Sequence, residues 1–168
     1  MLLPRSRYDE GVGILRGIYE NIRAGDPQDP ATNCGPVISA KQQSRILGYI
    51  QKGVDETATM LVGSTEPPKD FEKGFWVSPT LFTNVDNKMT IAQEEIFGPV
   101  LALLPARDID HAIEIANAST YGLNSSVLTN DVNEVYRIGR RLRAGNVAHN
   151  GMKADFNLPF GGFKQSGV

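Results

Sequence analysis

Short apolar runs alternate with stretches of helical periodicity along most of this chain. That alternation confines it to α/β folds: a single domain with a largely parallel sheet flanked by helices. Tyr8, Val12, Leu15, Tyr19 and Ile22 recur at i, i+4, i+7, i+11 and i+14, which predicts an amphipathic helix from about Ser6 to Arg23, ended by Gly25-Asp26-Pro27. Residues Asp26 to Pro36 are rich in turn formers and read as a surface loop. Ser39 followed by Gln42 is a capping-box pattern, and Ile46, Leu47, Ile50 and Val54 mark one face of a second helix from about Ala40 to Glu56. A strand is expected over Ala58 to Val62, closed by Gly63. Extended chain is expected over Phe75 to Phe82, where Pro79 favours an edge or a bulge. Val100 to Leu104 reads as an interior strand covered on both faces.

Farther on, Asp108 is placed to cap a helix in which Ile109, Ala112, Ile113 and Ala116 follow the helical rule. Tyr121-Gly122-Leu123 turns into a strand through Leu128. Asp131 with Glu134 forms a second capping box, ahead of a helix with apolar Val132, Val135 and Leu142 that Gly145 stops. Arg137, Arg140, Arg141 and Arg143 on that helix read as a solvated face near a C-terminus that favours cations. A brief strand over Asn146 to His149 leads into a Gly-rich tail with Phe156, Phe160 and Phe163.

Composition narrows the function classes. The chain has 168 residues, 40% of them hydrophobic, which suits one domain with a real core. Its 17 Lys and Arg against 19 Asp and Glu give a net charge of -2, so neither nucleic acid nor an anionic membrane is an expected partner. Apolar runs are too short to span a bilayer, and the first residues lack a signal-peptide core, so the cytoplasm is the expected location. One cysteine, Cys34, and two distant histidines, His111 and His149, make a structural metal an unexpected feature.

The richest local chemistry lies in Gln93-Glu94-Glu95-Ile96-Phe97-Gly98-Pro99-Val100. It reads as a short helical run carrying two carboxylates that breaks at Gly98-Pro99. A carboxylate near a Phe at such a break can offer acceptors to sugar hydroxyls and a flat face to a heteroaromatic ring. The alternative is that Glu94 and Glu95 are solvated helix-end charges and Phe97 is core. Cys34 has no His or Lys neighbour in sequence to activate it and is not expected to be a nucleophile. His111 reads as a surface residue, and His149 beside Asn150 as a residue of a site edge. Lys164 is either a chain anchor or, by the usual rule, exposed.

Four motifs, Gly25-Asp26-Pro27, Glu94-Glu95-Ile96-Phe97-Gly98-Pro99-Val100, Tyr121-Gly122-Leu123 and Leu158 to Gly167, occur together in an order and at spacings that resemble the aldehyde dehydrogenase superfamily. The resemblance covers nearly the whole chain and implies that residues 1–168 are a partial catalytic domain of that fold. It also implies an oxidoreductase that converts an aldehyde to a carboxylic acid with NAD or NADP. In that family a cysteine thiolate captures the aldehyde as a thiohemiacetal, and the thioester formed after hydride transfer is hydrolysed. By the same resemblance Glu95 accepts hydrogen bonds from the nicotinamide-side ribose and Phe97 packs near the nicotinamide. Phe160 belongs to the substrate tunnel, and Phe156 to the loop at its mouth. Met1 to Arg7 matches the segment that follows the family's Gly-Gln-x-Cys motif, so the nucleophile, the general-base glutamate and the nucleotide-binding domain have no counterparts in these residues. The expectation is a piece of an enzyme, inactive until the missing N-terminal part or a full-length relative supplies the rest. The alternative is a noncatalytic interaction module or truncated remnant that pairs with such a relative.

Overall fold

The computed structural model describes residues 1–69, 71, 73–152, 157 and 159–167. The chain divides into two units, Met1–Pro105 and Ala106–Val168. Its strands and helices confirm the α/β class, with strands in sheets of two, three and two.

In the first unit, β1 (Leu2–Pro4) leads through a 3-10 turn at Arg5–Arg7 into α1 (Tyr8–Glu20). After the loop come α2 (Ala40–Asp55), β2 (Thr59–Val62), β3 (Thr80–Thr83), α3 (Thr90–Gln93), β4 (Val100–Ala102) and β5 (Leu104–Ala106). β3 is the central strand of the sheet β2-β3-β4: antiparallel to β2, parallel to β4, and buried at every residue. Its two threonines tolerate this burial because each hydroxyl donates to a carbonyl, Thr80 to Ser78 at 2.8 Å and Thr83 to Thr59 at 3.4 Å. Pro79 therefore does not mark an edge or a bulge. It stands just before the first ladder residue, where its missing N–H removes no sheet bond.

The apolar run expected as one interior strand is two strands at different sheets. Leu103, fully buried, separates them: β4 pairs with β3 and β5 with β1. Leu103 donates its N–H to Phe82 at 2.9 Å, and the next residue, Leu104, donates to Met1 at 3.0 Å, so the ladder changes partner at a single residue. Tyr8 secures α1 to this junction, its hydroxyl donating to the Leu103 carbonyl at 3.2 Å and accepting from the Asn84 N–H at 3.1 Å.

α2 supplies the other side of the core. Ile46 and Ile50 are fully buried, and Gly53, one turn on, lies so close that an added Cβ would stand 3.0 Å from Ile91 and Phe82. The buried stripe thus runs Ile46, Ile50, Gly53. Val54, expected on this face, is rotated out of it and exposed.

In the second unit, α4 (Ile109–Asn117) is capped by Asp108, whose carboxylate accepts from the His111 N–H at 2.7 Å. β6 (Asn124–Val127) and β7 (Asn146–His149) pair in parallel, with α5 (Val132–Gly139) between them in sequence. The expected capping box is different in detail: Asp131 accepts from the Asn133 N–H at 2.9 Å, while Glu134 accepts from the Thr129 hydroxyl at 2.6 Å. α5 ends at Gly139, a poor helix former, so Leu142 lies beyond it and Gly145 is not its stop. Gly145 has another role, since a Cβ there would come within 1.8 Å of the Gly161 carbonyl oxygen.

Candidate functional site

The stretch from Thr90 to Val100 hangs on one helix. At its start, the Glu56 carboxylate accepts from the Thr90 N–H and the Thr90 hydroxyl, both at 2.7 Å, and so caps α3 from the end of α2. These bonds, the hydroxyl first, hold the Glu56 carboxyl below its ordinary range, with Lys52 adding to the effect. α3 stops at Gln93, earlier than the sequence suggests. Glu94 is already extended, with φ -114° and ψ 153°, so both carboxylates lie past the helix rather than on it.

Beyond that point the segment is fastened to α2 at every residue up to Phe97. The Tyr49 hydroxyl donates to the Glu94 carboxylate at 2.7 Å, and Arg45 donates to the Glu95 carbonyl at 2.8 Å. The Gln42 amide donates to the carbonyls of Ile96 at 3.3 Å and Phe97 at 3.0 Å. Gln42, Arg45, Ile46 and Tyr49 stand at i, i+3, i+4 and i+7, on one helix face. Gly98 then passes so near to α2 that a Cβ would meet the buried Ile46 side chain at 2.7 Å.

What this scaffold presents is specific. Ile96 is turned inward and buried, whereas Phe97 is 63% exposed and has φ +57°. Left-handed backbone at an aromatic residue costs free energy that the surrounding bonds must hold. The core alternative for Phe97 is thereby overturned. Glu94 is engaged by Tyr49, but the Glu95 carboxylate is exposed and has no hydrogen-bond partner among the described residues. An open acceptor and an open ring two residues apart, on immobilised backbone, can receive a ligand with hydroxyls beside a flat ring.

The other sequence candidates fall elsewhere. Phe160, in the second unit, is 83% exposed, and Phe156 lies outside the described residues. Cys34 is half-buried in its loop, and burial pushes its thiol pKa up, the opposite of activation. His149 is taken up by its ring contact to the Thr129 carbonyl at 2.8 Å, a group that also accepts from the Asn150 amide at 2.9 Å. Lys164 is not the exposed residue that its type suggests. It anchors the tail, its ammonium donating to the carbonyls of Ser119 at 2.7 Å and Asn117 at 3.2 Å at the end of α4. Desolvation, and secondarily Arg143, lowers its pKa. The tail and the Tyr121-Gly122-Leu123 turn interlock, because the Gly122 carbonyl accepts from the N–H groups of Phe163 at 2.9 Å and Gly145 at 3.0 Å.

Sequence reasoning did not single out Arg45 and Tyr49, and assigned Gln42 only to a cap. Half of that cap exists, since Ser39 accepts from the Gln42 N–H at 3.2 Å, but the Gln42 side chain is committed to the Phe97 segment instead. The available signal was their spacing around Ile46, three polar residues on a face otherwise assigned to the core.

An α/β unit that presents a rigid, outward-facing carboxylate and ring defines a ligand-binding part of an enzyme domain. Comparison with known proteins identifies the kind: the profile of the aldehyde dehydrogenase family matches residues 1–168. The chain belongs to that family. A protein described as a putative aldehyde dehydrogenase from Staphylococcus aureus is 42% identical over all 168 residues, which cover 35% of its length. Among solved structures, an aldehyde dehydrogenase of Mycobacterium tuberculosis complexed with NAD+ superposes with a TM-score of 0.95 at 48% identity, over 99% of this chain and 34% of that one. Betaine aldehyde dehydrogenase from Staphylococcus aureus, in complex with NAD+, gives 0.95 at 35% identity, over 99% and 34%. The chain therefore spans about a third of the length of the relatives it matches.

Proposed function

We propose that this chain is the part of an aldehyde dehydrogenase that grips the nicotinamide half of the cofactor and borders the aldehyde tunnel. Glu95 accepts hydrogen bonds from the nicotinamide-side ribose, and Phe97 packs near the nicotinamide. The observation that carries this reading is the unpartnered Glu95 carboxylate beside the exposed, strained Phe97, both on backbone held by α2. NAD is the favoured cofactor because the relatives cited above are NAD+ complexes; NADP has the same nicotinamide half and fits the same groups. The bound cofactor would supply a hydride acceptor. The chain's own residues orient it, and Phe160, with Phe156, would line the path of an aldehyde on its way to oxidation to the acid. The thiol chemistry belongs to residues outside this third, so the 168 residues alone do not turn over aldehydes.

Titration of the chain with nicotinamide riboside, followed by NMR, tests this. The Glu95 amide and the Phe97 ring signals are expected to shift, while adenosine moves neither. Glu95→Gln and Phe97→Leu should each weaken the response by about tenfold, the loss of one charge-assisted hydrogen bond or one ring contact. Equal responses to the two nucleosides, or none to either, would sink the assignment.

A further inference from the structure

Arg45 is an exposed arginine near two consecutive carboxylates, yet among the described residues it forms no ion pair. Its guanidinium is used differently. It donates to the Glu95 backbone carbonyl at 2.8 Å, and its central carbon lies 5.5 Å from the centroid of the Tyr49 ring and 5.9 Å from that of Phe97. Both distances are within the range in which a cation is attracted to a ring face. The Tyr49 hydroxyl in turn donates to the Glu94 carboxylate at 2.7 Å. The result is a brace from α2 that touches Glu94, Glu95 and Phe97 in turn. A solvated arginine would make none of these contacts.

The brace has a geometric consequence. Glu94 is extended, and in extended backbone successive side chains point to opposite sides. Drawing Glu94 onto Tyr49 therefore sends Glu95 the other way, into the open. Gln42 fixes the carbonyls that follow, but neither of its bonds touches a side chain of the segment. Arg45 is the group that connects backbone position with the Phe97 ring.

We propose that Arg45 is a positioning residue: with Tyr49 it selects Glu95, rather than Glu94, as the carboxylate offered to ligand, and holds the Phe97 ring at a fixed angle beside it. The proposal rests on the cofactor-grip reading above. It commits to the guanidinium specifically, because a planar fork can bond a carbonyl and stack on a ring at once, whereas an ammonium does the first less well and the second weakly.

The test uses the 168-residue chain with nitrogen-labelled backbone and carbon-labelled Phe rings, as wild type, Arg45→Met, Arg45→Lys and Tyr49→Phe. In Arg45→Met the backbone order parameters of residues 95–98 are expected to fall from about 0.85 towards about 0.6. The Phe97 ring signals should move, and nicotinamide riboside should bind about tenfold more weakly, a difference of ~1.4 kcal/mol. The melting temperature should not change, because Arg45 is exposed and leaves the core intact. Arg45→Lys should restore part of the backbone order and little of the ring signal, a split that mere loss of surface charge would not produce. Tyr49→Phe should free Glu94 and broaden the Glu94 and Glu95 signals. Unchanged order and ring signals in Arg45→Met overturn the proposal, as does a disordered segment in the wild type or undiminished riboside binding in Arg45→Met. The two readings separate cleanly. Loss of order without any riboside response in the wild type sustains the brace and removes the cofactor grip, and binding with no effect of Arg45 does the reverse.

Discussion

Phe97 shows how a strained residue can be read at the residue scale. Its positive φ is a conformation that glycine adopts freely, and its ring is mostly exposed, so little folding energy depends on the side chain. Phe97→Gly is expected to leave thermal stability within about 1 kcal/mol of wild type, because relief of backbone strain offsets the added freedom of the unfolded chain. The same change should abolish the riboside response. A scanning calorimetry trace beside an NMR titration decides it, and a large loss of stability would show that the ring belongs to the core after all. Gly98 behaves in the opposite way. Its Cβ would press on Ile46, which is fully buried and cannot give, so Gly98→Ala should destabilise by about 1–3 kcal/mol in urea unfolding.

Among elements, α2 is the one on which the site depends, and its link to α3 is titratable. The Glu56 carboxyl is held below its ordinary pKa by the Thr90 hydroxyl and N–H and by Lys52. A depressed carboxylate contributes stability that is fully present above its unfolded pKa and is lost as pH falls through the folded one. The chain should therefore lose stability on acidification through the carboxylate range, and Glu56→Gln should flatten that part of the pH profile measured by thermal melts. A second element-level prediction concerns the tail. Gly145→Ala would place a methyl group against the Gly161 carbonyl, so the tail from Gly161 to Gly167 should come free of the Gly122 turn. Limited proteolysis should then cut within the tail while β6 and β7 stay protected, and an uncleaved tail would contradict the packing.

For the molecule as a whole, the relevant fact is that it spans about a third of its relatives' length. If the groups that bind the rest of a dinucleotide lie outside these residues, ligand linkage gives little stabilisation at millimolar concentration. Melting with millimolar NAD should leave the transition nearly unmoved, and an increase of many degrees would mean that the chain holds a complete cofactor site. The sequence by itself determined a good deal. Local signals, namely periodicity around Ile46 and Ile50, the caps at Ser39 and Asp108, and the order of the four motifs, were enough for the α/β class, most helix positions and the family. Only the tertiary structure decided that the Val100–Leu104 run changes sheets at Leu103, that α3 stops short of its carboxylates, and that Lys164 anchors a tail. It alone showed that Glu95 is free while Glu94 is tied, because Gln42, Arg45 and Tyr49 act from about fifty residues away in sequence. Periodicity reports which face a residue occupies. It carries no information about which distant backbone that face will meet, and at this site that meeting sets which carboxylate is left open.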